Sequence, residues 1–360
     1  MREDSKFLIS LTVVLFLVFI LSSGSEIKIS FNSFLAKLDM SSKPEIIAGD
    51  GFGNSIALDK SENLSLSFID EKQGLVFAKR IEGQWQRRVI DARAKAGNNT
   101  SLAFSKHGSA NILYISDDFS LKIAKKEGDN WIIEKVAENV ALSCNLTFDM
   151  YGTVHISFWD SKESALKYGK FEAGVWKIET VDSWKVGWWN SLALDSNQNP
   201  HISYYDFANQ DLLYVYFDGE NWNKDIVDFK GDVGRFNSIV LDKKNKPHIS
   251  YFDKSDGNLK YAVKGKGGWQ LEAIDEKGVV GERTNIILSE DGNPVISYFC
   301  PAKGELKLAR KTGSIDWEIE VVDSGLKKDE GVDNSIILNK NKLSLAWQDL
   351  VLGQLKFVIY

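Results

Sequence analysis

The hexapeptide Asn-Ser-Leu-Ala-Leu-Asp at residues 190–195 returns along the whole chain, so the fold must bury seven versions of one unit against one another. Close copies stand at residues 54–59, 237–242 and 334–339, and looser ones at 100–105, 144–149 and 284–289. The second residues of the seven copies are Ser55, Ser101, Asn145, Ser191, Ser238, Asn285 and Ser335, spaced 44 to 50 residues apart. That spacing suits the four-stranded blade of a β-propeller.

Each copy carries the same internal order. After the inner strand comes a turn such as Ser196-Asn-Gln-Asn-Pro200, then a second strand, His201-Ile-Ser-Tyr-Tyr-Asp206, with the alternation and turn residues of a hairpin. A third strand, Leu213-Tyr-Val-Tyr216, precedes a fourth that carries a tryptophan and ends in an Asp, as from Trp222 to Asp228. The tryptophan recurs at Trp85, Trp131, Trp176, Trp222, Trp269 and Trp317, six times for seven inner strands. Blade seven stops after its third strand near Tyr360, while Pro44-Glu-Ile-Ile-Ala48 stands before the first inner strand, where every other blade has its fourth. Residues 44–48 are therefore expected to complete blade seven and close the ring, which removes the open edge of an unfinished stack. Ile46 and Ile47 are both expected to be buried in that closure. Along the inner strands a large apolar residue (Ile56, Leu102, Leu146, Leu192) precedes a small or Thr one, as sheets packed on both faces require. The reading is an all-β, seven-bladed propeller over residues 44–360, preceded by a linker at 26–43 and an N-terminal signal or anchor helix at 1–25.

The pattern Asn-Ser-x-x-Leu-Asp, Pro-His-Ile-Ser-Tyr-Tyr-Asp, Leu-Lys-Tyr-Ala, Trp, Val-Asp, fullest at residues 190–228 and 237–275, resembles the propeller repeats of secreted bacterial and archaeal proteins. The resemblance covers residues 44–360 and implies a loose functional likeness to propeller lectins. The Gly-His/Trp-Asp pairing of WD40 blades, the double glycine of kelch and the Asp box of sialidases are not found in it.

Residues 1–25 read as an export segment, because a charged start precedes the apolar run Phe7 to Leu21 and the small residues 22–25. A small-x-small site at Ser23 and Ser25 suits cleavage, while the run over 7–23 is nearly long enough to span a bilayer and would tether the protein if uncleaved. Either outcome places the chain outside the cytoplasm, extracellular or at the cell surface. A net charge of -6, with its 44 basic residues interspersed among 50 acidic ones, leaves no basic block to track a phosphate backbone, so nucleic acid is not an expected partner. Cys144 and Cys300 fall three blades apart, too far for a disulfide.

His155, His201 and His248 hold one position in three consecutive blades, on the order of 10 Å apart, which denies a shared metal ion. No metal and no cofactor is expected. The acids that close the second strands, Asp70, Asp160, Asp206, Asp253 and Asp349, are read as turn formers. No catalytic signature names a reaction.

What departs from the repeat collects on one face, where loops enter the inner strands and leave the second ones. Trp159, Trp184, Trp188, Trp189, Tyr205 and Phe236 fall there, with Arg235 and Arg283, in a sector assigned to blades three to five. A repeating scaffold needs no such departures, and aromatic rings confined to one sector suit a sugar stacked on indoles. The expectation is a non-catalytic recognition module whose partner is a glycan or a cell-surface protein. The alternatives are a polysaccharide lyase or glycoside hydrolase acting at the channel mouth through Arg235, Arg283, Asp206 and Asp253, and a structural cell-envelope protein.

Overall fold

A computed structural model of the protein describes residues 43–49, 51–94, 99–327 and 332–360. The export segment at 1–25 and all but the last residue of the linker at 26–43 lie outside the described residues. Among the described residues no helix is long and apolar enough to cross a membrane.

Twenty-eight strands form seven four-stranded sheets, the blades of a β-propeller ring. Blade four shows the pattern: inner strand Val186–Leu194, second strand Pro200–Asp206, third strand Asp211–Phe217 and outer strand Trp222–Asp228, each paired antiparallel with the next. The hairpin below the inner strand is made by its own sequence. Asp195 accepts the backbone N–H groups of Asn197 and Asn199 at 2.8 and 2.7 Å, an Asx turn that needs a short acceptor side chain there. Burial peaks in the second strands, which are buried throughout in blades four, five and six, whereas the inner strands at the axis are partly buried and the outer strands keep many side chains in water. The expectation of burial on both faces thus holds for the middle of each blade and fails at the rim, where no further sheet exists to cover it.

The repeated Ser or Asn is explained by what it does between blades. The hydroxyls of Ser55, Ser101, Ser191 and Ser238 accept the backbone N–H of Leu102, Leu146, Ile239 and Ile286 in the next blade, at 3.0, 2.9, 3.2 and 3.3 Å. Where the position is Asn, Asn145 and Asn285 donate to the carbonyls of Asn190 and Asn334 at 2.7 and 2.9 Å. Ser335 donates to Asn54 at 2.5 Å and joins blade seven to blade one. Every junction around the axis therefore carries one side-chain bond from this motif, and the inner strands need a small polar residue there to make it.

The strand Glu45–Gly49 pairs antiparallel with Gln354–Ile359 and becomes the outer strand of blade seven. Ile47 and Ala48 enter the core, but Ile46 is 61% exposed. The ladder slips between Ile46 and Ala48, so the two isoleucines face opposite ways at the rim and only Ile47 meets apolar neighbours. Glu45 ties the strand to blade one, accepting from Arg80 at 2.7 Å and from the Trp85 indole at 3.1 Å.

Both cysteines are buried and free. The three histidines are buried too, and each shares a hydrogen between its Nδ1 and a tyrosine of its own blade: Tyr168, Tyr214 and Tyr261, all at 2.5 Å. Burial lowers the basicity of all three imidazoles. They are parts of the core.

Candidate functional site

The variable residues are displayed by a backbone device found in three adjacent blades. Before the inner motif of blades four, five and six runs Val-Gly-x-x-Asn/Thr: Val186 to Asn190, Val233 to Asn237 and Val280 to Thr284. The valines are buried. Gly187, Gly234 and Gly281 have φ of 103, 99 and 105°, and a Cβ on them would lie 3.0, 2.7 and 2.7 Å from the Cα of Leu166, Leu212 and Leu259 in the preceding blade. Only glycine fits that approach. The ladder then slips, between Trp188 and Ser191, between Arg235 and Ser238, and between Glu282 and Asn285. Two variable residues per blade stand at this slip, the last paired one before it and the first one inside it. The first, Trp188, Arg235 or Glu282, lies opposite Tyr205, Phe252 or Phe299 of the second strand. The second, Trp189, Phe236 or Arg283, sits in the left-handed region with φ of 48, 52 and 53°. Bulky residues are rare there, and such strain, of order 1–3 kcal/mol each, collects at functional sites.

These bulges bring most of the expected residues together. Trp159 meets Trp188 edge-on at 5.4 Å, and Trp188 meets Trp189 at 5.7 Å. Trp189 in turn meets Tyr205 at 5.3 Å and Phe236 at 4.7 Å. Arg235 lies over Trp189 and Tyr205 at 5.7 and 5.5 Å, and Arg283 lies over Phe236 at 5.0 Å. The cluster is continuous from blade three into blade six, one blade beyond the sector read from the sequence, because Arg283 belongs to the entry of blade six. Trp188 and Trp189 are half-buried. Trp184 stands apart, 72% exposed, on a loop residue whose φ of 79° turns it away from its neighbours.

Three further residues complete the site. Phe207 lies against Trp188 at 4.4 Å with the rings inclined by only 30°. Asp232 accepts both arms of the Arg235 fork at 2.8 and 2.6 Å, together with the Tyr205 hydroxyl at 2.8 Å. Asp333 pairs with Arg283 at 2.8 Å and accepts the Gly53 amide at 3.2 Å. Their signal in the sequence was the Val-Gly-x-x spacing, which marks the bulge and hence the loops that face it. Burial and the bond to Asp232 push the Tyr205 phenol up to about 12. Burial also raises the Glu282 carboxyl, against the pull of Arg283 and Arg235.

At the axis the inner strands leave a cavity of about 210 Å³. Its mouth takes one residue from each blade: Gly53, Asn99, Ser143, Trp189, Phe236, Arg283 and Asp333. Blades one and two thus contribute small or polar groups, blade three adds Leu142 beside Ser143, and blades four to six contribute two rings and a guanidinium. Asp206 and Asp253 are elsewhere occupied. Asp206 accepts the amides of Ala208 and Asn209 at 2.8 and 3.1 Å, and Asp253 accepts that of Asp256 at 3.1 Å and pairs with Lys260 at 3.3 Å. Asp70, Asp160 and Asp349 close their turns in the same way. Among the described residues no group of three or more His, Cys, Asp or Glu side chains is placed to hold a metal ion.

No protein-family model matches the chain, and no curated protein sequence does. Solved structures share its fold. The Aleuria aurantia lectin in complex with Fucα1-6GlcNAc superposes with a TM-score of 0.53 at 14% identity, over 80% of this chain and 100% of that one. The SapL1 lectin in complex with α-methyl fucoside gives 0.54 at 12% identity, over 76% and 96%. A polysaccharide lyase, an ulvan lyase bound to -[GlcA(1-4)Rha3S]-, gives 0.60 at 14% identity, over 88% and 95%. At these identities the likeness is one of fold.

Proposed function

We propose that the protein is a non-catalytic, extracellular carbohydrate-recognition module that binds glycan on the face built by the entry loops of blades four to six and the adjoining Trp159. One observation carries this: an aromatic cluster with two guanidiniums laid over it, held on strained bulges at the mouth of an axial cavity. The same slip in blades one and three carries Gly53 and Leu142 in the left-handed region, so the bulge itself does not require these rings. The partly exposed faces of such rings suit the C–H faces of a sugar, and the Arg–Asp pairs beside them suit its hydroxyls. The lectin complexes among proteins of the same fold support the reading.

The test is a glycan array run beside a polysaccharide-degradation screen, with the wild-type chain and a Trp188→Ala, Trp189→Ala double variant. Array binding without turnover, lost by tenfold or more in the double variant, is the expected result. Because both rings are half-buried, the variant should also lose roughly 2–3 kcal/mol of stability, less than the about 3–5 kcal/mol of a fully buried ring. Binding retained by a destabilised variant would sink the assignment. A second reading, a lyase or hydrolase, is favoured by the raised Glu282 carboxyl between two arginines and by the ulvan lyase of the same fold. Turnover in the screen that disappears in Glu282→Gln would establish it in place of the first.

A further inference from the structure

We infer that the axial cavity seats one neutral pyranose per chain, with adjacent hydroxyls held between Arg283 and Asp333 and an apolar ring face laid against Phe236 and Trp189. This rests on the carbohydrate reading above and narrows it to one place, one stoichiometry and one charge class.

The place follows from asymmetry around the axis. Where blades four and five set Trp189 and Phe236 at the mouth, blades one and two, across the axis, set Gly53 and Asn99, so there is a wall and, facing it, room. The cavity of about 210 Å³ is smaller than the roughly 300–1,000 Å³ that holds a drug-sized ligand, and it suits a single sugar ring. The stoichiometry follows from the same asymmetry. A ring of blades has one axis, and these rings occur once around it, so no second copy of the site can form between other blades.

The charge class follows from what the ionised groups already do. Asp232 takes both arms of Arg235, and Asp333 takes Arg283. Arg283 and Asp333 are the charged residues that line the cavity, and they pair with each other, so an incoming uronate or sulfate would have to displace Asp333 to reach the guanidinium. An incoming cation would meet guanidiniums already lying over the aromatic faces. A neutral diol meets neither obstacle. Arg283 spends Nη1 on Asp333, and its Nη2 makes no hydrogen bond to a described residue. Asp333 accepts only two bonds on a carboxylate with about four acceptor positions. A donor and an acceptor thus stand side by side with capacity left, which is what neighbouring hydroxyls require.

Isothermal titration and native mass spectrometry of the full chain test this with the methyl glycosides of fucose, galactose, mannose and N-acetylglucosamine, and with methyl glucuronide and galacturonide. The expected result is one molecule bound per chain, with at least one neutral glycoside tenfold or more tighter than either uronide. Phe236→Leu and Asp333→Asn should each weaken it by tenfold or more. Asp333→Asn may be checked for folding by its thermal midpoint, and Phe236→Leu, which keeps an apolar side chain, carries the test alone if that midpoint collapses. Several equal sites per chain, or uronides bound more tightly, would overturn this inference while leaving carbohydrate recognition standing. Silence from these glycosides together with silence on the glycan array would overturn both.

Discussion

The seam between blades four and five and the seam between blades two and three close the same ring with different chemistry. At the first, the Tyr251 hydroxyl and the Lys260 ammonium both donate to the buried Asp228 that ends the outer strand, at 2.8 and 2.6 Å. Farther out, the Trp269 indole donates to Asp225 at 3.2 Å and Lys264 pairs with the same carboxylate at 2.6 Å. At the second seam Ala137 stands where Asp228 does and Phe158 where Tyr251 does. Lys167, the counterpart of Lys260, turns instead to Glu163 and Thr180. Nearer the axis the Ser203–Asn237 bond, 2.5 Å long, is replaced by apolar packing of Leu113 and Cys144. The polar partners have vanished together. Removing one partner of a buried pair strands the other, whereas replacing both by apolar groups of similar shape is nearly neutral, so a seam can be polar or apolar but not half of each.

The largest test of this comparison is at the seam made from both ends of the chain. A protein beginning at residue 51 lacks the strand Glu45–Gly49, and with it the whole ladder to Gln354–Ile359. Burial of Ile47 alone accounts for about 1.5–3 kcal/mol, and the ladder and the Glu45 bonds add to it. Urea unfolding against a chain beginning at residue 26 should show a loss above that figure, and equal midpoints would refute closure by this strand. Next in size, Asp228→Ala should cost about 2–4 kcal/mol, since it strands a buried hydroxyl and leaves Lys260 only Asp253. A loss below about 1 kcal/mol would mean the polar seam is no tighter than the apolar one.

Acid should loosen the polar seams first. Burial pushes the Asp275 carboxyl up, yet bonds from Lys307 and Tyr298 outweigh it and hold the group below the usual carboxylate range. Asp91, at the seam of blades one and two, is lowered in the same way by the Arg93 amide and Tyr114, and within blade one Asp59, beside Lys79, is lowered to about 2 despite its burial. A carboxyl whose folded value lies below its unfolded one, near about 3.9, stabilises fully above that pH and stops doing so as pH falls through the folded value. Stability should therefore fall between about pH 5 and pH 2, and hydrogen exchange should show the strands flanking the blade two–three seam protected longest. The smallest effect is expected from grafting: Ala137→Asp with Phe158→Tyr should change stability by about 1 kcal/mol or less, since it adds a satisfied pair where an apolar one already serves. Either single change should cost more than the double, which a double-mutant cycle reads directly.

The blades were legible because one motif recurs and because a missing outer strand at one end matched a surplus strand at the other. The seams were not. Tyr251 and Asp228 lie 23 residues apart, in different blades, and nothing in either strand announces the other. The site was legible as a face, since every residue after a second strand or before an inner one must emerge there. Its inner arrangement was hidden, because whether a residue joins the cluster depends on where the ladder slips: Trp188 and Trp189 stand at the slip, whereas Trp184 precedes the strand. The slip occurs in blades one and three to six, but the Val-Gly that announces it stands in three of them, too few to stand out in a repeat read for its common positions.

The bond from Ser335 to Asn54 spans 281 residues of chain. Drawing together points so distant in sequence costs about 5 kcal/mol of loop entropy, which no contact repays until the last blade is made. During synthesis an arc of six blades must wait with a raw sheet face at each end, and the first strand must wait for a partner made after every other blade. Folding of the ring is then timed by the strands of blade seven, and a chaperone that shields the growing arc would decide its yield more than the stability of any single blade.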